Sequence, residues 1–283
     1  MCEIYGRSTT GSNDAVRVKT ADGQLLAFDE LVVTTPLGWL KQNIKAFHPP
    51  LEYRLTQAIR NIGYGSLEKV RFAVGSRGGM CSHQQVYISF PKAFWLDSNQ
   101  EDRPPFKGFC QWLSPNYDAK SNPDKWNNEA VELGSIPSPD GHPTLLFYTF
   151  GAESQILTHK LRHLRSKSEK NEFIFSFFRP YYSRLPSYQD ENPDCKPTAC
   201  ISTDWLGDTF AGNGSYCNFQ AGLQEGDKDI LEMRAGMPEE GIWLAGEHTA
   251  PFVALGTVTG AFWSGEDVAN RVIQAREAGD GEE

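Results

Sequence analysis

The sequence predicts an α/β plus α+β fold, in which α/β segments at the two ends form one domain and enclose a β-rich middle. Three observations predict it. A short apolar run, Leu31-Val-Val-Thr34, ends at a Pro/Gly break, Thr35-Pro-Leu-Gly38, as a strand covered on both faces does. A second run, Ile242-Trp-Leu-Ala245, ends at Gly246 and leads into a helical pattern. Between them lie strand-like segments separated by loops rich in Pro and Asn, and no internal repeat is present.

Taken in order, residues 16–20 read as a strand, Ala21-Asp-Gly-Gln24 as a turn and residues 25–28 as the returning strand. Residues 51–62 place Leu51, Leu55, Ala58, Ile59 and Ile62 at helical spacing, and Gly63-Tyr-Gly65 stops that helix. Residues 68–74 alternate, with Val70, Phe72 and Val74 on one face and Lys69, Arg71 and Ala73 on the other. Residues 85–90, 108–113 and 144–150 are further strands; 154–165 and 170–178 are helices; 179–199 is a long loop. Residues 257–278 contain an amphipathic helix.

Composition excludes several function classes. The chain has 283 residues, a net charge of -9 and 39% hydrophobic residues, and its 26 glycines bring the apolar share to about 48%, the ordinary value for a globular protein. The length suffices for one large domain or two medium ones. An excess of 36 acidic over 27 basic residues disfavours nucleic acid as a partner, because phosphates need cationic neutralisation. No uninterrupted apolar run reaches the roughly 18 residues of a membrane span. Cys-Glu-Ile-Tyr-Gly-Arg after Met1 has no apolar run of the secretory kind, so the expected compartment is the cytoplasm. The six cysteines lack zinc-site spacing, and His159 and His163, at i,i+4 within a basic run, read as a solvated helix face; no metal is expected.

The segment Gly241-Ile-Trp-Leu-Ala-Gly-Glu-His-Thr249 is the sharpest chemical signal. A buried strand delivers a small-residue break at Gly246, then the Glu247 carboxylate, then a loop of Gly and Pro, then a helix opening near Gly256-Thr257. The first turn of such a helix has unpaired N–H groups and partial positive charge, which suit an anionic ligand edge. Gly256 and Gly260 permit a flat ligand to approach the backbone, and Glu247 is placed to accept hydrogen bonds from ligand hydroxyls. The same pattern also describes a plain strand–loop–helix corner with an acidic first turn.

Ala-Gly-Glu-His-Thr, followed by Gly256-Thr-Val-Thr-Gly-Ala-Phe-Trp-Ser-Gly-Glu266, resembles the carboxyl-terminal FAD-binding motif of the flavin-containing amine oxidases. That superfamily includes polyamine oxidases, monoamine oxidases and lysine-specific histone demethylases. Val32-Val-Thr-Thr-Pro-Leu-Gly38 is similar to the family's strand and turn running past the flavin. Gly63-Tyr-Gly-Ser-Leu-Glu-Lys69-Val resembles the segment with its active-site lysine. Trp205, Asp208 and Gly212-Asn-Gly-Ser-Tyr216 are similar to the segment bringing an aromatic wall to the substrate. The four motifs stand in the family's order, and the resemblance runs from about residue 16 to residue 273.

The resemblance implies a partial FAD/NAD(P)-binding domain of the amine-oxidase type, residues 1–68 and 200–275. It also implies an inserted mixed β-sheet substrate domain, 69–199, and a disordered tail, 276–283. The implied reaction oxidises a small-molecule amine to an imine by hydride transfer to the flavin, which oxygen then reoxidises; polyamines or a secondary-metabolite amine are favoured over histone tails. By the same resemblance Lys69 is the catalytic residue, holding a water at the flavin and assisting reoxidation, with a pKa lowered by burial. Thr35, Pro36, Gly246, Glu247, Gly256, Thr257 and Val258 bind the cofactor, Thr257 and Val258 through helix N–H groups facing its pyrimidine edge. Tyr216 walls the amine site, and Trp205 and Thr257 shape it.

Two positions depart from the family. Ser215 stands where some monoamine oxidases place a cysteine bonded to FAD, so the cofactor is expected to be non-covalent. The second cage aromatic falls at Thr257, so the cage has one wall and admits a larger substrate. The sequence also lacks a Gly-x-Gly-x-x-Gly turn for the FAD pyrophosphate: Gly63-x-Gly65 and Gly212-x-Gly214 have Glu68 and Cys217 where the third glycine belongs. Roughly the family's amino-terminal half is therefore expected to be missing, leaving an apolar sheet edge unpaired. Besides the active oxidase, two readings stay open: a catalytically inactive remnant, and half of a split enzyme needing an amino-terminal partner.

Overall fold

The computed structural model describes residues 3–7, 15–65, 84–97, 104–117, 119–120, 122–137, 139–149, 151–220 and 222–280. The chain divides into two compact units, residues 1–81 with 206–283, and residues 82–205.

The first unit opens with β1 (Glu3–Tyr5), β2 (Val16–Lys19) and β3 (Leu25–Phe28), an antiparallel meander whose β2–β3 turn is closed by Thr20 N–H donating to the Gln24 carbonyl at 2.9 Å. β4 (Leu31–Val33) follows, then α1 (Leu37–Gln42). β5 (Phe47–His48) returns parallel to β1 and completes a sheet of order β3-β2-β1-β5. α2 (Tyr53–Asn61) buries Leu55, Ala58 and Ile59, one helical stripe, and β6 (Gly63–Tyr64) ends this half.

The second unit is a five-stranded sheet with two helices on one face. β7 (Gln84–Ser89), β8 (Phe109–Trp112), β9 (Asn128–Glu132) and β10 (Thr144–Thr149) precede α3 (Gly151–His163) and α4 (Lys167–Tyr182); β11 (Ala199–Ser202) is the last strand. The order is β11-β7-β10-β9-β8. Alternation sends Val86, Ile88, Ala130, Leu145 and Phe147 to the helix side, where they pack with Leu157, Leu161, Ile174, Phe178 and Tyr181. α4 starts at a capping box, in which Ser166 accepts from Glu169 N–H and the Glu169 carboxylate accepts from Ser166 N–H. Glu132 is buried on the same side. Burial pulls its pKa up, but donors from Ser135, Trp95, Gly108 and Gly134 outweigh that and hold it below the usual value.

The chain then re-enters the first unit with β12 (Cys217–Asn218), antiparallel to β6, then α5 (Gly226–Ala235), β13 (Ile242–Leu244), parallel to β4, and α6 (Val258–Asp280). The buried Asp229 of α5 ties down α2, accepting from Arg54 at 2.5 Å and Asn61 at 3.0 Å. No described helix is long and apolar enough to cross a membrane.

Four expectations change. The sheet of the second unit is antiparallel throughout its described strands rather than mixed. Helix α6 continues through Arg276 to Asp280, where a disordered tail was expected. β4 is not covered on both faces, since Val32 is 37% exposed. The Pro36-Leu37-Gly38 break is the start of α1: Pro36 is its N-cap, where a missing N–H costs nothing. Gly38 fits inside that helix because a Cβ there would stand 2.0 Å from the Gly212 carbonyl oxygen. The predicted strand over residues 68–74 lies outside the described residues.

Candidate active site

β4 and β13 run parallel, Leu31 to Val33 beside Ile242 to Leu244, so their carboxyl ends emerge side by side. Ala245 N–H reaches the Val33 carbonyl at 3.2 Å and closes the pair just before both chains turn away. The turns carry Thr35-Pro36 and Gly246-Glu247, the end of an α/β sheet at which ligands bind. Thr35 Oγ1 is buried there with no hydrogen-bond partner.

A third backbone segment meets this end. The Tyr64 hydroxyl donates to the Ala211 carbonyl at 2.7 Å, and Gln42 Nε2 donates to the Gly212 carbonyl at 3.2 Å. Asp208 Oδ1 accepts from Phe210 N–H at 2.8 Å and so shapes the turn that leads to Tyr216. β12 starts one residue after Tyr216 and pairs with β6, so Gly65 N–H lies 3.4 Å from the Tyr216 carbonyl. Ser215 Oγ is a second buried hydroxyl oxygen without a partner.

Glu247 connects these segments. Its carboxylate accepts from Cys217 N–H at 3.2 and 3.3 Å and from the Cys217 thiol at 2.6 Å. Burial raises the Glu247 pKa, opposed by those hydrogen bonds; the Cys217 thiol is pushed far up by its own burial and by the adjacent carboxylate. Sequence reasoning assigned Glu247 to ligand hydroxyls. In the structure its oxygens are engaged by Cys217, thirty positions away, a contact with no local signal except that Cys217 follows Tyr216.

The α6 end completes the arrangement. Thr257 caps the helix: its hydroxyl donates to the Ala254 carbonyl at 2.7 Å and accepts from Gly260 N–H at 2.9 Å. Thr257 N–H turns back to Ala254 at 3.3 Å, and Ala261 N–H takes the Thr257 carbonyl at 3.0 Å. Helix geometry leaves the Val258 and Thr259 N–H groups for an outside acceptor. Val258 is 89% exposed. Gly256 holds φ +74°, and a Cβ there would meet the Cys217 carbonyl at 3.0 Å and the Tyr216 ring at 3.1 Å, so the Tyr216 ring lies against this loop. Gly256→Ala is expected to cost about 1–2 kcal/mol through positive φ and displacement of that ring. Denaturant titration checks this, and an unchanged midpoint would contradict it.

Of the residues singled out in the sequence, Thr35, Pro36, Gly246, Glu247, Gly256, Thr257, Val258 and Tyr216 all belong to the first unit, on the connected segments just described. Trp205 is the last residue of the second unit, 37% exposed in a turn. Lys69 lies outside the described residues. No cluster of metal-ligating side chains occurs among the described residues. His159 and His163 lie on an exposed helix face, as the spacing predicted, with ring centroids 4.3 Å apart and the rings tilted by 38°.

An α/β unit interrupted in sequence by an antiparallel sheet with two helices is the class that this fold defines. The family model described as flavin containing amine oxidoreductase matches residues 7–273, and the chain belongs to that family, whose cofactor is FAD. Lysine-specific histone demethylase 1 homolog 3 of Arabidopsis thaliana is 27% identical over 95% of this chain and 14% of its own length. The peroxisomal N(1)-acetyl-spermine/spermidine oxidase of Homo sapiens is 24% identical over 93% of this chain and 46% of its own. The corticosteroid-binding protein of Candida albicans is 26% identical over 95% and 50% respectively. This chain thus spans half or less of the length of these relatives. A solved structure of a putrescine oxidase redesigned in its cofactor binding superposes with a TM-score of 0.58 at 14% identity, covering 96% of this chain and 48% of that one, and shows the shared fold.

Proposed function

We propose that this chain is the carboxyl-terminal portion of an FAD-dependent amine oxidase that converts a small-molecule amine to an imine, and that a separate segment bearing a dinucleotide-binding turn completes the cofactor site. The observation that carries this reading is the meeting of Thr35, Gly246-Glu247, Gly256 and the first turn of α6 at the carboxyl ends of a parallel strand pair, with two partnerless buried hydroxyls, Thr35 Oγ1 and Ser215 Oγ.

The residues present fit part of FAD. The exposed first turn of α6 offers the Val258 and Thr259 N–H groups to a ligand edge that gains negative charge. The Thr35 and Ser215 hydroxyls have hydrogen-bonding capacity that this chain does not satisfy. Ser215 offers no thiol, so the association is non-covalent. Glu247 acts by fixing the Tyr216–Cys217 backbone beside Gly256, which sets the Tyr216 ring as one wall of the amine site. No pyrophosphate turn exists in the sequence, and the relatives' greater length supports a second segment as its source. When bound, the flavin supplies the acceptor for the two electrons taken from the amine and passes them to oxygen. Lys69 is assigned to the reoxidation step, and residues 82–205 to holding the substrate.

Flavin absorbance after gel filtration tests the reading. The purified chain mixed with FAD is expected to retain little cofactor alone and to retain it stoichiometrically when co-expressed with an amino-terminal half carrying the Gly-x-Gly-x-x-Gly turn. Acid precipitation should then release all of it. A co-expressed pair that never retains FAD would leave the chain an inactive remnant.

A further inference from the structure

Spacing alone makes His159 and His163 a solvated helix face with no metal expected; the structure adds how the two rings are held there. Both residues are exposed on α3, one helical turn apart. His163 Nδ1 lies 2.7 Å from the His159 carbonyl oxygen. A carbonyl oxygen only accepts, so Nδ1 carries the proton and donates it. In the neutral ring that tautomer leaves the lone pair on Nε2. Metal-ligating imidazoles are oriented in this way, one nitrogen held by a carbonyl and the other left to bind. No hydrogen bond engages either nitrogen of His159 among the described residues.

The ring separation suits a chelate. A divalent cation about 2.0–2.1 Å from each ligating nitrogen lies about 3.2 Å from each ring centre, and coordination angles of about 90–110° then set the two centres about 4.5–5.2 Å apart. The observed separation is 4.3 Å, with the rings inclined by 38°, so a small rotation of two exposed side chains suffices. Once one imidazole binds, the helix holds its neighbour at high effective concentration.

The surroundings select the kind of cation. Residues 155–167 contain no Asp or Glu, so hard cations that require oxygen ligands find none on this stretch of chain. Lys160 and Arg165 add positive charge, whereas Arg162 is offset by Asp204, which takes its Nε at 3.0 Å and its Nη2 at 3.1 Å. Imidazole suits the late first-row ions, whose binding does not depend on a carboxylate. The described residues hold no group of three or more metal-ligating side chains, so water completes the coordination.

We propose that His159 and His163 form a two-ligand surface site for a late first-row divalent cation of the zinc, nickel and copper class, which clasps the last turn of α3. The inference lies within the second unit and is independent of the amine-oxidase reading.

The test titrates the full chain, carbon-13-labelled in its histidine rings, with zinc chloride and separately with magnesium chloride at pH 7.5. Zinc is expected to shift the His159 and His163 ring signals along one shared saturation curve, and magnesium to shift neither. His163→Gln should weaken the zinc response of His159 by about tenfold or more, and His159→Gln should do the same to His163, because each variant turns a chelate into a single imidazole. Both positions are exposed and outside the core of the second unit, so the amide signals of α4 are expected to stay in place in both variants. Different midpoints for the two rings, a remaining ring that responds as in the unaltered chain, equal responses to zinc and magnesium, or no zinc response in either ring would each overturn the proposal.

Discussion

Glu153→Gln should stabilise the second unit at pH 8 and have little effect near pH 4. Glu153 lies in the first turn of α3 at 2% exposure, and its single described hydrogen bond is from Asn128 Nδ2 at 2.8 Å. Among the described residues no cation pairs with it, and the nearby Tyr181 hydroxyl is occupied by Asn122 and the Trp126 carbonyl. Burial lifts the Glu153 pKa to about 8, so the folded chain holds a neutral acid at neutral pH. The unfolded chain releases that proton at the ordinary value of 4.5. A folded pKa raised above the unfolded one gives stability that is complete below pH 4.5 and is lost as pH rises toward 8. By pH 8 the loss amounts to roughly 4 kcal/mol. The glutamine amide keeps an acceptor for Asn128 and never ionises. Its extra buried donor costs about 1 kcal/mol or more. The net gain expected at pH 8 is therefore about 2–3 kcal/mol, shrinking steadily toward acid. Urea titrations of both proteins at pH 5, 6.5 and 8 measure it. A variant less stable at pH 8, or one with an unchanged pH slope, would show that the carboxylate is ionised and paired in the fold.

The contrast between what the sequence discloses and what it conceals follows the range of the forces involved. β13, β4 and α6 were legible because each combines an apolar pattern with a Gly or Pro break, both local signals. α1 was not, because Pro36 and Gly38 read as breakers when only adjacent residues are considered. The reason glycine is required at 38 is the Gly212 carbonyl, 174 positions away in sequence. β9, Asn-Glu-Ala-Val-Glu, carries little intrinsic strand preference, and its ladders to β8 and β10 hold it extended. β11 was not foreseen as a strand, the expected loop ending at its first residue, Ala199; its two inner-facing residues, Cys200 and Ser202, are small, and pairing with β7 makes it a strand. In the site, the motif located Thr35, Gly246, Glu247, Gly256 and Thr257 on segments that do meet. It did not disclose the Cys217–Glu247 pair or the solitary Glu153 carboxyl, since both depend on which distant groups exclude water.

His248 makes the first unit respond to acid in the opposite direction. The imidazole sits in the turn Glu247–Thr249, packed against α5 and α6, at 1% exposure with Nε2 unpartnered. Desolvation alone pulls its pKa down from 6.5 to about 4, so the folded chain keeps it neutral where the unfolded chain is already protonated. A depressed folded pKa means stability that is complete above pH 6.5 and declines as pH falls toward 4. The decline is roughly 2 kcal/mol at pH 5 and roughly 3 kcal/mol once pH 4 is passed. Between pH 8 and pH 4 the second unit thus gains from Glu153 while the first loses from His248, and the order in which they unfold should shift with pH. Hydrogen exchange read separately on α3 and α6 is expected to show α6 protection falling and α3 protection rising as pH drops from 7.5 to 5, after correction for the intrinsic exchange rate. His248→Phe retains a ring of similar size and offers no nitrogen to protonate, so it should flatten the α6 trend and leave α3 unchanged. An α6 trend that survives the substitution would assign the acid sensitivity to another group. A parallel fall in both helices would show that the units unfold as one. If the trend flattens as expected, the turn that carries Glu247 is the acid-labile part of the proposed cofactor site, and FAD retention by the completed protein should fail in the same pH window, between 6.5 and 4.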